Sequence, residues 1–145
     1  MAGIYIHIPF CAKQCTYCDF HFSTTFESYR SELLKALSTE LQLRAPSWQN
    51  EVIETVYFGG GTPSLLSGAE IETLLSAVYT NYNAAAVKEI TLECNPDDCS
   101  TDQLIAWKAA GVNRLSIGIQ SFTDEQLEWM NRTHTADEGF AAVER

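Results

Sequence analysis

Three cysteines lie within eight residues near the start of the chain: Cys11, Cys15 and Cys18, in the spacing C-x3-C-x2-C. They come directly after a short apolar segment that ends at Pro9. Thiolates are soft ligands, and so closely spaced a set can form disulfides or bind zinc or an iron-sulfur cluster. The spacing therefore predicts a redox-active or metal-binding loop.

The three interpretations differ in how well they fit the other residues. A disulfide network fits worst, because the total of five cysteines is odd and no signal peptide precedes the loop. Structural zinc usually takes four ligands, so a zinc-binding module would need His7 or His21 as the fourth. Three thiolates on a cubane cluster would leave one iron open to a small molecule. The cluster interpretation therefore predicts chemistry, whereas zinc stays open as a structural alternative.

The composition limits the class of protein. The chain has 145 residues, of which 46% are hydrophobic and 19% charged, as expected of one soluble globular unit. A formal net charge of -10 argues against a nucleic-acid partner, which would require basic residues to neutralise phosphates. No apolar run approaches the roughly 20 residues of a membrane span. Unpaired cysteines fit the reducing cytoplasm, so we expect a cytoplasmic protein.

Strand and helix patterns alternate four times. Apolar residues recur with period two in the strands and at helical spacing between them. Such alternation predicts parallel strands joined by helical crossovers. The expected strands are Ile4–Ile8, Val52–Phe58, Glu89–Cys94 and Arg114–Gln120. The expected helices are Phe26–Leu43, one opened by a capping box at Ser67–Glu70, one opened by a capping box at Ser100–Gln103, one containing Leu127 and Met130, and Thr135–Arg145.

Each predicted strand has one aliphatic face and one polar, small or aromatic face. Strands covered by helices on both sides would be apolar on both faces, so the polar face is expected to line a cavity that holds a polar ligand. A complete barrel of eight units takes about 250 residues. We therefore predict an α/β fold, a partial (β/α) barrel of about four units truncated before closure, with residues 1–145 as the N-terminal portion of the barrel domain.

One segment and two further residues at the ends of the strands are candidate ligand contacts. Gly59–Pro63 follows the second strand and is either a plain turn or a segment whose backbone approaches a ligand closely. Glu93 and Gln120 end the third and fourth strands, and Glu93 is either paired with a cation or bound to a ligand's hydroxyl or ammonium group.

The remaining cysteines and histidines are expected to have minor roles. Cys94 alternates with aliphatic residues and is expected to be a small buried hydrophobe, whereas Cys99 is given no role. His7 is expected to face inward beside the cysteine loop. His21 and His134 are expected at the surface.

The cysteine loop resembles the cluster loop of radical S-adenosylmethionine (SAM) proteins. The longer string from Tyr5 to Phe20 resembles the branch that contains oxygen-independent coproporphyrinogen III oxidases and their heme-chaperone relatives. The resemblance extends over essentially the whole chain, because four more motifs follow in order: Gly59–Ser64, Glu93–Pro96, Ser116–Phe122 and Asn131–His134.

This resemblance implies a cofactor set and its ligands. Cys11, Cys15 and Cys18 would each ligate one iron of a 4Fe-4S cluster, and SAM would bind the open iron through its amino and carboxylate groups. An electron from the cluster would then cleave SAM to methionine and a 5′-deoxyadenosyl radical. The positions that match SAM contacts in the family are Tyr5, Gly60, Gly61, Thr62, Glu93, Gln120 and Arg132. From its residue type alone, Arg132 would instead be a solvated side chain on a helix.

The resemblance leaves two functions, which a single position helps to separate. The oxidases of this branch carry a fourth cysteine two residues after the third ligand, and this chain has Phe20 there. The heme-chaperone relatives read Cys-Asp-Phe at the same place, as this chain does. We therefore expect a heme chaperone that binds heme and passes it to an acceptor protein, with a coproporphyrinogen III oxidase as the alternative. Either function implies a reducing electron donor and a heme or porphyrinogen partner.

Overall fold

The computed structural model describes residues 2–145 and contains four strands, each followed by a helix. The strands are β1 (Ala2–Ile8), β2 (Ile53–Gly60), β3 (Glu89–Cys94) and β4 (Arg114–Ile117). The helices are α1 (Arg30–Arg44), α2 (Gly68–Asn81), α3 (Thr101–Ala110), α4 (Asp124–Trp129) and α5 (Ala136–Glu144). The predicted alternation is confirmed. Within residues 2–145, every helix is too short or too polar to cross a membrane.

The four strands form one open sheet in the order β1-β2-β3-β4, and every pair is parallel. Ile6 lies opposite Phe58, which lies opposite Leu92, so the aliphatic positions of neighbouring strands form continuous rows. The prediction of parallel strands in an α/β sheet that does not close into a barrel is confirmed.

The aliphatic face of the sheet packs against the helices and forms the core. Ile6, Phe58 and Leu92 are all buried there. Each such side chain contributes about 1.5–3 kcal/mol on transfer from water. Trp107 of α3 is also buried, and its Nε1 donates a hydrogen bond to the Leu66 carbonyl at 3.1 Å, which satisfies its polar atom.

The helix starts follow local sequence signals. Ser67 and Glu70 form the predicted capping box at the start of α2. At α3 the Ser100 hydroxyl accepts from the Gln103 N–H at 3.3 Å. Within residues 2–145 no return bond from the Gln103 side chain is found, so this predicted capping box is only half formed. α3 ends at Ala110 and is capped by Gly111, whose φ of 110° favours glycine.

Several predicted boundaries were wrong: β1 begins at Ala2 rather than Ile4, β2 ends at Gly60 rather than Phe58, and two other boundaries differ by more. The fourth strand ends at Ile117 rather than Gln120, because tight turns follow in which the Ile119 N–H bonds the Ile117 carbonyl and Gln120 has a φ of 66°. α1 begins at Arg30 rather than Phe26, because Phe26–Ser28 forms a separate 3₁₀ turn.

Candidate functional site

The cysteine loop begins directly after β1 and is closed at its base by two backbone hydrogen bonds. The Cys11 N–H bonds the Ser23 carbonyl at 3.1 Å, and the Ser23 N–H bonds the Pro9 carbonyl at 2.7 Å. Cys11 is buried, whereas Cys15 and Cys18 are half-buried. All three cysteines line one cavity of about 250 Å³, so the fold brings the loop's three thiols to a single site.

The other walls of this cavity come from the carboxyl ends of the strands, where parallel α/β sheets place their ligands. Residues predicted as ligand contacts make up much of these walls, and neighbours on β3, β4 and the loops complete them. The principal ones are Gly60, Gly61, Thr62, Glu93, Asn95, Ser116, Gly118, Gln120 and Arg132.

The donor set fits an iron-sulfur cluster better than a single ion. Within residues 2–145, no three His, Cys, Asp or Glu side chains converge closely enough to hold one metal ion. Thiolates that each bind a different iron of a cluster do not have to converge on one point. Three soft sulfur ligands around a shared cavity therefore have the chemistry that a 4Fe-4S cluster requires.

Cys11 is packed against the glycine-rich turn after β2. The Thr62 hydroxyl donates to Cys11 Sγ at 3.4 Å, and burial raises the pKa of the Cys11 thiol. A Cβ on Gly61 would lie 3.0 Å from Cys11 Sγ and 2.6 Å from the Phe10 carbonyl oxygen. Only glycine fits there, so the backbone of the turn packs directly against the thiol. We call the turn at Gly61 the glycine cradle.

Glu93 is held by hydrogen bonds rather than by a cation. The Tyr57 hydroxyl donates to Oε1 at 2.7 Å and the Gly60 N–H donates to Oε2 at 3.0 Å. Among the ion pairs of residues 2–145, none involves Glu93. The bond to Glu93 raises the pKa of the Tyr57 hydroxyl. Gly60 itself has a φ of 118°, and a Cβ there would lie 2.7 Å from the His7 ring.

Tyr5 lies beside the cavity rather than on its wall. Its ring stacks on Tyr57 with centroids 5.9 Å apart, and 58% of the residue is exposed. His7 Nε2 lies 3.2 Å from the His21 carbonyl, so this nitrogen donates and Nδ1 accepts from the Tyr5 hydroxyl at 3.1 Å. His7 is half-buried next to the glycine-rich turn, whereas His21 is exposed as predicted.

Arg132 is not the solvated helical side chain that its residue type predicted. It lies between α4 and α5, where Nη2 donates to Asn95 Oδ1 at 2.7 Å and to the Gly118 carbonyl at 2.8 Å. Its Nη1 lies 3.4 Å from Cys15 Sγ. Arg132 Nε is buried and has no partner within residues 2–145. The guanidinium thus joins the ends of β3 and β4 to the cysteine loop and places a positive charge beside a thiol.

His134 was predicted at the surface, and this was wrong. The residue is only 3% exposed, and its Nε2 donates to the Ile119 carbonyl at 3.0 Å. Its Nδ1 is buried without a partner among residues 2–145. The ring packs against Ile119 and Gly139, and no local pattern in the sequence predicts that contact.

Cys94 is buried as predicted, but the position of Cys99 was missed. Cys99 is fully buried, and its Sγ lies 3.6 Å from Cys94 Sγ and 3.3 Å from the Asn95 carbonyl oxygen. The contact with Cys99, together with burial, raises the pKa of the Cys94 thiol. The short separation of the two cysteines, five positions in the sequence, is the feature that could have indicated this contact.

Comparison with known proteins gives a consistent set of relatives. The Heme chaperone HemW of Escherichia coli K12 is 39% identical over 146 residues, which cover 97% of this chain and 38% of that protein. The mitochondrial Radical S-adenosyl methionine domain-containing protein 1 of Bos taurus is 42% identical over 135 residues, covering 93% of this chain and 30% of that protein. The chain therefore spans only 30% to 38% of the length of these two relatives.

Solved structures agree with the fold. Coproporphyrinogen III oxidase (HemN) from Escherichia coli superposes with a TM-score of 0.86 and 33% identity, covering 98% of this chain and 33% of that one. Elp3 of Methanocaldococcus infernus, at 16% identity and a TM-score of 0.60, shares the fold alone. The family model of the Radical SAM superfamily matches residues 5–145. Because that match covers nearly the whole sequence, the chain belongs to the radical SAM superfamily.

Proposed function

We propose that Cys11, Cys15 and Cys18 hold a 4Fe-4S cluster and that SAM binds beside it. The observation that carries the proposal is that all three thiols face one cavity in a chain of this superfamily. When bound, the cluster supplies the electron that cleaves the sulfonium bond of SAM. The chain itself shapes the site: the glycine-rich turn leaves room for the Cys11 sulfur, and the guanidinium of Arg132 lies beside the Cys15 sulfur.

The proposed SAM contacts surround the same cavity. Glu93 is suited to the ligand's ammonium or hydroxyl groups, because its two oxygens each accept one hydrogen bond and keep further lone pairs free. Tyr5 stands apart from the wall and flanks Tyr57, which orients Glu93. The full proposed set is Tyr5, Gly60, Gly61, Thr62, Glu93, Gln120 and Arg132.

We further propose that the protein is a heme chaperone, which binds heme and transfers it to an acceptor protein. Relatives from several bacteria carry the name Heme chaperone HemW at 36–39% identity. Phe20, where the oxidases have a cysteine, lines the cavity and is 68% exposed. Phenylalanine can neither ligate metal nor transfer a proton, so whatever the fourth cysteine contributes in the oxidases is missing.

The free cysteines support a proposal for the compartment in which the protein acts. All five cysteines are free thiols, which suits a reducing compartment such as the cytoplasm and a reducing electron donor. Residues 1–145 would form the N-terminal portion of a radical SAM barrel domain.

An oxygen-independent coproporphyrinogen III oxidase is the second candidate. It is favoured by the close superposition on the Escherichia coli oxidase at a TM-score of 0.86. Fold likeness does not fix the reaction, because one fold supports many activities. Assay of porphyrinogen turnover separates the two candidates.

Anaerobic reconstitution with iron and sulfide tests the cluster. The protein should take up about four irons and four sulfides per chain. Cys15→Ala should lose the thiolate-to-iron absorption, whereas Cys99→Ala, which removes a buried thiol that does not line the cavity, should keep it. Uptake of stoichiometric zinc without iron would overturn the proposal in favour of a structural zinc module.

A further inference from the structure

α4 ends in a backbone turn that directs the residues after the helix toward the cysteine loop. The Arg132 N–H bonds the Leu127 carbonyl and the Asn131 N–H bonds the Glu128 carbonyl, both at 2.9 Å. This pair of bonds is a Schellman turn, in which the residue after the helix takes a left-handed conformation. Asn131 does so with a φ of 58°. The turn leaves the last helical carbonyls without partners from the helix.

The cysteine loop supplies those missing partners. The Thr16 N–H bonds the Met130 carbonyl at 3.2 Å, and the Thr16 hydroxyl donates to the Trp129 carbonyl at 3.1 Å. In return, Asn131 Nδ2 donates to the Gln14 carbonyl at 2.7 Å. Three hydrogen bonds therefore join segments that are more than 110 positions apart in the chain.

These bonds fall on both neighbours of one proposed cluster ligand. Gln14 and Thr16 directly flank Cys15, so the backbone is fixed on either side of that thiol. Cys15 itself makes two further contacts, from Arg132 Nη1 to its Sγ at 3.4 Å and from the Cys18 N–H to its carbonyl at 3.3 Å, whereas Ala12 and Lys13 before it are exposed. Cys11, by contrast, is anchored in the core and by its bond to Ser23.

We propose that Thr16 and Asn131 are positioning residues that hold the Cys15 thiol in place before the cluster binds. We call this pair the α4 clamp. The inference rests on the proposed function, because it takes Cys15 to be a cluster ligand. Ordering the loop in advance removes part of the entropic cost that cluster binding would otherwise carry. The clamp also makes the order of the cysteine loop depend on Asn131, which lies more than 110 positions further along the chain.

Matched variants test the contributions of the Thr16 and Asn131 side chains separately. Thr16→Val removes the hydroxyl at nearly constant shape, and Thr16→Ser restores it. Asn131→Gly removes the amide but keeps the left-handed backbone, which glycine adopts without strain. Thr73→Val is the control, because the Thr73 hydroxyl makes an equivalent bond to the Ala69 carbonyl at 2.8 Å on α2, outside the cavity.

Trypsin reports on the loop without any cluster. Lys13 is exposed and adjoins Gln14, and cleavage after Lys35 within α1 is an internal reference. In the metal-free protein, Thr16→Val and Asn131→Gly should each raise the rate of cleavage after Lys13 by roughly fivefold, the equivalent of one hydrogen bond. Thr16→Ser and Thr73→Val should stay near the rate of the unchanged protein.

Iron release from the reconstituted protein to a chelator is the second readout. Both clamp variants should lose iron several-fold faster and broaden the electron paramagnetic resonance signal of the reduced cluster, with Thr16→Ser restoring both. Unchanged cleavage after Lys13 in both variants, with normal iron uptake, would overturn the clamp. Failure of the unchanged protein to take up iron would instead refute the proposed function and, with it, the role of the clamp toward a cluster.

Discussion

The guanidinium of Arg132 and the thiol of Cys15 lie 3.4 Å apart although 117 positions separate them in the chain. The same guanidinium donates to Asn95 and Gly118, which directly follow β3 and β4. One side chain therefore joins the loop that carries the proposed cluster ligands to the wall that carries the proposed SAM contacts.

Replacing Arg132 should loosen both parts of the site. Arg132→Met should lower the free energy of unfolding by about 2–4 kcal/mol, because two acceptors lose hydrogen bonds from a charged donor. Arg132→Lys should recover only part of this, since a single ammonium cannot reproduce the planar fork of guanidinium donors. Urea denaturation of the metal-free protein measures the difference. Equal stability of the methionine variant and the unchanged protein would contradict the bridging role.

Glu93 and Gln120 should contribute to SAM binding without affecting the cluster. Glu93→Gln or Gln120→Ala should weaken the affinity of the reconstituted protein for SAM by roughly ten- to a hundredfold, the loss of one hydrogen bond to a polar or charged ligand. Glu89→Gln is the control, because this exposed carboxylate lies at the other end of β3 beside Arg114. Calorimetric titration measures the affinity, and unchanged binding in both variants would place the SAM site elsewhere.

Gly61 should tolerate no side chain. In Gly61→Ala the new methyl would meet the Phe10 carbonyl oxygen at 2.6 Å, and backbone cannot yield as a flexible side chain can. We expect a loss of at least about 2 kcal/mol of stability and weaker cluster uptake. Gly139→Ala in α5 is the control, because its Cβ would meet side chains rather than backbone, a methyl of Ile119 at 3.3 Å and the His134 ring at 3.9 Å. Similar stability of the two variants, measured by thermal unfolding, would count against the cradle.

Much of the fold follows from local signals. The prediction of Glu89–Cys94 is correct to the residue, because an alternating run is followed directly by the turn residues Asn95 and Pro96. The Ser67–Glu70 capping box fixed the start of α2 in the same way. The polar face of the predicted strands also indicated where the cavity lies, because Glu93 and Gln120 line it together with the cysteines.

The parts that could not be predicted depend mostly on contacts between segments that are separated in the chain. The burial of Arg132 and His134 results from the chain after β4 folding back over the strand ends, which no periodicity encodes. Cys99 is buried because the 3₁₀ turn Pro96–Asp98 directs it inward against Cys94. Asn131 can bond Gln14 only because the Schellman turn points its side chain at the loop. The resemblance to a family located the motifs, but it did not supply these pairings.

The ion pair between Glu70 and Arg30 should make stability depend on pH. The hydrogen bond from Arg30 lowers the pKa of Glu70 to about 2, from an ordinary value of 4.5. A lowered acid pKa stabilises the fold above the unfolded-state pKa, and the benefit is lost as the pH falls from about 4.5 toward about 2. Glu70→Gln should therefore reduce the free energy of unfolding by about 2–3 kcal/mol at pH 7.

This difference should shrink steadily in denaturation experiments between pH 5 and pH 3. Glu40→Gln is the matched control, because its pair with Arg44 is exposed at both ends and should contribute about 0.5 kcal/mol or less. A Glu70→Gln penalty that stays constant across this range would show that packing or helix capping, rather than the charge, carries the effect.

Phe20 sets the choice between the two proposed functions. Its exposed ring lines the cavity at the position where the oxidases have a fourth cysteine, so this chain lacks that fourth thiol. We expect the protein to bind heme, seen as a Soret band, and to bind SAM, but not to convert coproporphyrinogen III to protoporphyrinogen IX. The assay is carried out anaerobically with the reconstituted protein and a competent reductant. Phe20→Cys is the matched variant, because it introduces the spacing C-x3-C-x2-C-x-C of the oxidases. Turnover by the unchanged protein would establish the oxidase instead, and the proposed cluster ligands would stand in either case.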